Sequence, residues 1–167
     1  TKNIQFFKKN ISPVEGALTC NLKTIAKKYK NIFLKMDIEL WEYFWINNTE
    51  IELLHNFKQI VIEYHNIHAD HIQKPHVPPD VKVSCFNKMT NTHYVVHAHG
   101  NNYGPTTVVN GNRIPDVIEI TYVRKDVFSE PPSVNKTSLP CVLDKPNNRK
   151  RPDYNLNFCP FTQNCES

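Results

Sequence analysis

Proline and glycine are unevenly distributed along the 167-residue chain, and this imbalance constrains the fold more than any single motif. Residues 1–74 contain one proline, Pro13, and one glycine, Gly16, whereas residues 75–167 contain eleven prolines and three glycines. Proline interrupts helices and central strands, and glycine favours turns. The distribution predicts a helix-rich segment over 1–74 and a β-rich, proline-punctuated segment over 75–167, as two domains or as one compact domain.

The first segment carries apolar residues at helical spacing. The positions from 22 to 36, with lysines on the opposite side, predict an amphipathic helix. The aromatic-rich stretch 38–46 predicts a strand, with continued helix as the alternative. Thr49 and Glu52 have the spacing of a capping box. A second helix is therefore predicted over 49–68.

The second segment is predicted to form short strands joined by turns. Asn110-Gly111 predicts a tight hairpin turn, because both residue types tolerate positive φ. The fold class predicted is α+β, with a helix-rich N-terminal half packed against a small antiparallel β unit. The predicted strands of this unit are 81–85, 93–98, 106–109 and 117–123, with edge strands at 139–143 and 155–158.

Three pieces of the second segment carry a resemblance to a known family. The run Pro-Pro-Asp-Val-Lys-Val-Ser at 78–84, the strand at 93–98 and Tyr-Gly-Pro at 103–105 together resemble the start of an immunoglobulin constant-type domain. The resemblance spans 75–112 and implies an immunoglobulin-like sandwich. It implies no functional residue, since the strand at 93–98 contains no cysteine.

The five cysteines do not have the Cys-x-x-Cys spacing of zinc ribbons or thioredoxin-like proteins. In an oxidising compartment, one assignment joins Cys85 to Cys141 and Cys159 to Cys165. Cys20 is then either free or bridged to another chain. Scattered reduced thiols in an intracellular protein are the alternative interpretation.

Secretion is favoured by three Asn-x-Ser/Thr triplets, at Asn10, Asn47 and Asn135. The first residue, Thr1, suits a chain whose signal peptide has been removed, or a trimmed chain. These observations predict a secreted, glycosylated protein that contains disulfide bonds.

Histidines form two groups. His93, His97 and His99 lie on a predicted strand, where they would share one face and are candidate metal ligands. We nevertheless expect an imidazole-bearing surface with no bound cofactor and no catalytic residue, because no carboxylate follows at a defined spacing. The other group is a second candidate metal site, in which two imidazoles would bind the ion and Asp70 would supply an oxygen ligand. Its histidines are His65, His68, His71 and His76.

Charge and motifs exclude several functions. The 20 basic and 16 acidic side chains give a net charge of +4, without the clustered excess typical of nucleic-acid binding. The basic run at 147–151 is predicted to be a solvated loop, with a processing site, a polyanion contact or a nuclear address as alternatives. No apolar run reaches the roughly 18–20 residues of a membrane-spanning helix, and the chain lacks a nucleophile elbow, a Walker loop and a dinucleotide fingerprint.

The densest aromatic group, which is either core or a binding hot spot, consists of Trp41, Tyr43, Phe44 and Trp45. Its candidate binding residues are Trp41, Tyr43 and Trp45. The function predicted is a non-catalytic, secreted interaction protein that binds a host receptor, an immune ligand or a sister subunit of an extracellular or viral envelope complex. The richness in Asn, Lys and Ile fits the AT-rich genome of a virus or parasite. The alternatives are a metal-dependent hydrolase or nuclease that uses His93, His97 and His99, and a carrier of a small apolar ligand.

Overall fold

A mixed four-stranded sheet lies at the centre of the structure. The computed structural model describes residues 4–68 and 76–162. The strands in these ranges are β1 (Asn10–Ile11), β2 (Thr19–Cys20), β3 (Ile32–Met36), β4 (Phe57–Tyr64), β5 (His93–Gly100), β6 (Thr106–Val109), β7 (Asn112–Pro115) and β8 (Ile118–Arg124). The helices are α1 (Lys23–Lys28), α2 (Trp41–Asn48), α3 (Ile51–Leu54) and α4 (Pro79–Thr92), with a 3₁₀ turn at Lys125–Val127.

The central sheet has the strand order β3-β4-β8-β5. β3 is parallel to β4, and β8 is antiparallel to both β4 and β5. The strands β3, β4 and β5 therefore point in one direction, and their C-terminal ends meet at one edge, which we call the carboxyl edge. β1 pairs with β2 and β6 pairs with β7 as separate two-stranded sheets.

Helices α2 and α4 cover one face of the sheet. Ile60, Ile62 and Tyr64 alternate along β4 and are buried on this face. The Tyr64 ring lies 5.4 Å from the ring of Tyr43 in α2 and 4.8 Å from that of Phe86 in α4. Burial of these large aromatic groups provides much of the apolar stabilisation of the fold.

The opposite face is partly covered by residues 129–162, which contain no helix or strand and lie against β5. Leu139 and Leu156 are buried, and the Leu156 backbone N–H donates to the Leu139 carbonyl at 3.1 Å. The buried Asn102 side chain donates to the Asn148 carbonyl at 3.0 Å and accepts from its N–H at 2.6 Å. Side-chain and backbone bonds thus hold a segment that has no regular structure.

The prediction of a helix-rich N-terminal half is wrong. The predicted helix over 49–68 is the four-residue α3 followed by the eight-residue β4. The apolar positions fit both helical and alternating spacing, and the run Ile60-Val61-Ile62 favours the strand because β-branched side chains suit a pleated surface. Thr49 forms no capping box, since its hydroxyl donates to the Trp45 carbonyl at 2.6 Å at the end of α2.

Two further secondary-structure predictions for that half are also wrong. The predicted helix over 22–36 is α1 followed by β3, separated by Asn31 at a φ of 56°. The predicted strand over 38–46 is largely helix α2, whose buried side chains include Glu42, Tyr43, Trp45 and Ile46. A cluster of aromatics is compatible with either element, so periodicity over such a short stretch misassigned it.

The second segment contains both confirmed and wrong predictions. The strands predicted over 93–98, 106–109 and 117–123 are confirmed as β5, β6 and β8. The Asn110-Gly111 turn is confirmed, with φ values of 49° and 78°. The predicted strand over 81–85 is instead part of helix α4.

The small antiparallel β unit and the immunoglobulin-like sandwich are not formed. The central sheet is mixed, and it takes β3 and β4 from before Pro75 and β5 and β8 from after it. Helix α4 occupies the place where a first sandwich strand was expected, because Pro79 starts a helix and buried side chains recur three and four residues apart. The predicted edge strands at 139–143 and 155–158 are irregular chain.

Candidate functional site

Acidic residues and one histidine converge at the carboxyl edge of the sheet. Asp37 directly follows β3 and His65 directly follows β4, and Met36 pairs with Ile62 across these parallel strands. Strands that run side by side deliver the residues after them to the same edge, which is where open sheets with parallel strands commonly bind ligands.

Three carboxylates surround the Nε2 atom of His65. This nitrogen lies 3.8 Å from Asp37 Oδ1, 3.5 Å from Glu39 Oε2 and 3.8 Å from Glu63 Oε1. Three of these residues, Asp37, Glu39 and His65, each offer one ligand atom, and these atoms lie within 4.8 Å of one another, as the ligands of a metal ion do. The Glu63 oxygen also accepts a hydrogen bond from the Asn101 amide at 2.8 Å.

A fourth carboxylate, Glu42, reaches the other side of the same imidazole. Its Oε1 accepts a hydrogen bond from the His65 backbone N–H at 2.9 Å and lies 3.3 Å from His65 Nδ1. Glu42 is fully buried, and among the described residues its Oε2 has no hydrogen-bond donor. We call Asp37, Glu39, Glu42, Glu63 and His65 the carboxyl-edge cluster.

The backbone around the cluster adopts uncommon conformations. Glu39, Leu40 and Asn66 have φ values of 53°, 78° and 59°, in the left-handed region that non-glycine residues seldom occupy. The Asn66 side chain is buried, and within the described ranges neither of its polar atoms has a partner. Strained backbone conformations and unpaired polar atoms are concentrated at functional sites, where the surrounding structure holds them in place.

The charges in the cluster act on His65. Burial opposes the charged imidazolium, but the hydrogen bond and charge of Glu42, with the charges of Glu39 and Glu63, raise the pKa of His65 above its ordinary value. The side chains of Asp37 and Glu39 are 48% and 76% exposed. The cluster therefore combines a buried base with an open, negatively charged outer side, which suits a hydrated divalent cation.

The predicted metal candidates on β5 do not share one face. A register shift between Val95 and His97 turns His93 toward the helices, while His97 and His99 point to the opposite face. His93 Nε2 lies 2.9 Å from the Phe57 carbonyl, to which it must donate, and Nδ1 accepts from the Thr92 hydroxyl at 2.7 Å. Burial lowers the pKa of His93, so this histidine is a neutral core residue.

His97 and His99 contact acidic residues of the C-terminal segment. His97 Nε2 lies 2.8 Å from Asp144 Oδ1, and His99 Nε2 lies 2.9 Å from Asp153 Oδ2. Ligand atoms of His97, Cys141 and Asp144 lie within 4.8 Å of one another. We call these three residues the turn cluster.

The other predicted histidine group is dispersed. Among the described members of this group, His65 alone joins the carboxyl-edge cluster, while His68 and His76 are exposed. The His68 backbone N–H donates to Asp116 Oδ1 at 2.9 Å. Asp70 and His71 lie outside the described residues.

The predicted bond between Cys85 and Cys141 is not formed. Cys85 lies on the buried side of α4, where burial raises the pKa of its thiol to about 12, and Cys141 lies beside His97 on the other face of the sheet. A disulfide needs its Cα atoms within about 7 Å, so a pair separated by the sheet cannot bond. Cys20 and Cys159 form no disulfide with another described cysteine, and the predicted bond from Cys159 to Cys165 falls outside the described residues because Cys165 does.

The aromatic group is mostly core. Tyr43 and Trp45 are buried, and the Tyr43 hydroxyl donates to the His65 carbonyl at 2.8 Å. Trp41 is 43% exposed and contacts the half-buried Phe44 ring, with centroids 5.6 Å apart. Of the three predicted binding residues, Trp41 alone exposes a large surface to solvent.

The glycosylation triplets differ in accessibility. Asn10 is exposed on β1. The Asn47 amide donates to the Val81 carbonyl at 2.8 Å, and the Asn135 amide donates to the Thr137 carbonyl at 2.9 Å. Asn10 is therefore the triplet that is most open to modification.

A pocket of about 130 Å³ lies between the N-terminal loop and the start of α3. Asn21, Lys23 and Glu50 contribute to its lining. Ligand pockets usually measure about 300–1,000 Å³ and are mostly apolar. This pocket does not supply the apolar space that a carrier of small ligands needs.

Sequence reasoning missed the carboxylates of the carboxyl-edge cluster. Asp37 and Glu39 follow an apolar run whose spacing predicts a helix, and Glu63 lies within the second predicted helix. If the runs 32–36 and 57–64 are interpreted as strands, each is followed by an acidic or imidazole side chain. That pattern could have indicated a site at the ends of the strands. Glu42 joins from a helix, so its role depends on tertiary packing.

No protein-family model, curated protein or solved structure matches the chain. None of the helices in the described ranges has both the length and the apolar character needed to cross a membrane.

Proposed function

We propose that the chain binds a divalent cation of the Mn²⁺ or Mg²⁺ class at the carboxyl-edge cluster and, through that cation, an oxygen-bearing ligand. One observation carries the proposal. The largely buried His65 is surrounded by carboxylates, one of which, Glu42, is fully buried with an oxygen that lacks a donor within the described ranges.

The charge of the cluster supports cation binding. Four carboxylates face a single imidazole, so negative charge exceeds positive charge even when His65 is protonated. Buried charge without compensation is unfavourable, and a divalent cation supplies that compensation directly. Asp37, Glu39 and His65 would be the ligands, with Glu42 orienting the imidazole from Nδ1, as groups behind metal-bound histidines do.

The ligand types favour Mn²⁺. Carboxylates suit Mg²⁺, Ca²⁺ and Mn²⁺, while an imidazole among them favours a transition metal. The exposed sides of Asp37 and Glu39 leave coordination positions open toward solvent. Oxygen atoms of a ligand would occupy those positions.

The test is calorimetric titration of Mn²⁺ into the purified chain, with electron paramagnetic resonance to count bound ions. We expect one saturable site, and we expect Asp37→Asn and Glu39→Gln each to weaken binding by at least about tenfold. Glu119→Gln is the matched control, because this glutamate lies on the same sheet but forms an ion pair with Lys35. Absence of saturable binding, or equal binding by all three variants, would overturn the proposal.

The extracellular interaction function stays a prediction. Its support is the exposed Trp41 and the exposed Asn10 triplet. The hydrolase alternative built on His93, His97 and His99 loses its geometric basis, because His93 faces away from the other two.

A further inference from the structure

We propose that the turn cluster of His97, Cys141 and Asp144 is a second metal site, which takes a Zn²⁺-class cation and fastens the C-terminal segment to β5. This site is independent of the carboxyl-edge cluster. It differs also from the histidine triad predicted from the sequence, since it contains neither His93 nor His99.

The three donors are already close together. Ligand atoms from the imidazole, the thiol and the carboxylate lie within 4.8 Å of one another, and His97 Nε2 lies 2.8 Å from Asp144 Oδ1. All three residues are half-buried, so an ion can reach the site and yet be partly shielded from water. Small side-chain adjustments would bring the three donors to the roughly 2.0–2.3 Å that zinc requires.

A turn presents two of the donors to the same side. The Asp144 backbone N–H donates to the Cys141 carbonyl at 3.1 Å, and the Cys141 N–H donates to Asp144 Oδ2 at 2.6 Å. Ligands three residues apart in a tight turn are also the arrangement of Cys-x-x-Cys zinc sites. The third donor, His97, lies on β5, and its pairing with Thr121 of β8 fixes its position.

The donor types select the metal. A thiolate with an imidazole and a carboxylate suits Zn²⁺ rather than Mg²⁺ or Ca²⁺, which prefer oxygen alone. Three protein ligands leave one tetrahedral position for water or an external ligand. The consequence for the fold is local, because residues 129–162 contain no helix or strand and depend on such side-chain attachments.

The test uses Co²⁺ as a spectroscopic substitute for Zn²⁺, titrated into the full chain under reducing conditions. We expect one tightly bound equivalent, with a sulfur-to-cobalt charge-transfer band and the visible bands of tetrahedral cobalt. Cys141→Ser should remove the charge-transfer band, and His97→Asn should weaken binding by at least about tenfold. Cys159→Ser is the matched control, since this exposed thiol lies in the same segment.

A second measurement tests whether the metal attaches the C-terminal segment to β5. Zn²⁺ should slow tryptic cleavage after Arg149, an exposed residue of the loop that follows Asp144, in the original chain and in Asp37→Asn, which disables the carboxyl-edge cluster, but not in His97→Asn. The proposal is overturned if cobalt binds without the charge-transfer band, or if Cys141→Ser and Cys159→Ser bind it alike. It is also overturned if micromolar Zn²⁺ leaves the cleavage rate unchanged. Loss of Mn²⁺ binding alone would count only against the carboxyl-edge site.

Discussion

Glu42 holds His65 through two atoms, because its Oε1 accepts the His65 backbone N–H at 2.9 Å and lies 3.3 Å from the ring Nδ1. A residue of α2 thereby fixes the end of β4. The contact joins the helix layer to the carboxyl edge, so the position of the imidazole depends on how α2 packs.

Glu42→Ala should destabilise the fold because the buried His65 N–H loses its acceptor. Leaving such a group unpaired costs about 1–3 kcal/mol. Glu42→Gln keeps an acceptor oxygen and should cost less. Urea denaturation of both variants measures the difference in the free energy of unfolding, and equal losses would show that the hydrogen bond does not support the edge.

His93 should make stability depend on pH. Burial, followed by the positive charges of His55 and Arg124, lowers its pKa below the ordinary 6.5, although the Phe57 carbonyl and Asp126 oppose the shift. As pH falls through 6.5, the unfolded chain takes up a proton that the folded chain refuses. The stabilisation is therefore complete above the ordinary pKa and is lost as pH falls toward the folded pKa.

The measurement is the free energy of unfolding as a function of pH, for the original chain and for His93→Gln. The original chain should lose more stability on acidification than the variant does. His65 has a raised pKa and acts with the opposite sign, so the difference between the two curves isolates His93. Parallel curves would contradict the assignment of a neutral, buried imidazole.

The two tryptophans should respond differently to truncation. Trp45 is buried, and its indole N–H donates to the Asn21 carbonyl at 2.9 Å. Trp45→Ala should cost about 3–5 kcal/mol because it opens a large cavity. Trp41→Ala should change the free energy of unfolding by only about 0.5 kcal/mol, since its ring is substantially exposed. A larger cost at position 41, by thermal or urea denaturation, would contradict this contrast.

Expression through a secretory pathway should give a glycan at Asn10 and none at Asn47. Attachment at Asn47 would break the hydrogen bond from its amide to the Val81 carbonyl. Mass spectrometry of peptides before and after glycan removal reads both positions, with Asn10→Gln as the control. A secreted product with Asn10 unmodified would remove the main support for a glycosylated protein.

The limits of sequence reasoning can be seen in β4. Its positions satisfy helical spacing as well as alternation, and a pattern of eight residues cannot separate the two. The Asn110-Gly111 turn was predictable because positive φ is a local requirement. Strand β8 was predictable because four of its seven residues are β-branched, and β5 because Tyr94, Val95 and Val96 have high strand propensity.

The site could not be predicted for a different reason. Asp37 and His65 are far apart in sequence and meet only because β3 and β4 are parallel neighbours. Glu42 reaches them from helix α2, whose aromatic-rich sequence predicts a strand. The register shift in β5 likewise separated His93 from His97 without any signal in the residues themselves. Tertiary arrangement, rather than local preference, decides which side chains meet.

The position of β8 makes the two halves of the chain dependent on each other. This strand satisfies the backbone hydrogen-bonding groups of β4 on one side and of β5 on the other. Truncation before Ile118 would leave two strands with bare edges, and bare edges invite aggregation. Neither half of the chain can therefore complete the central sheet without the other.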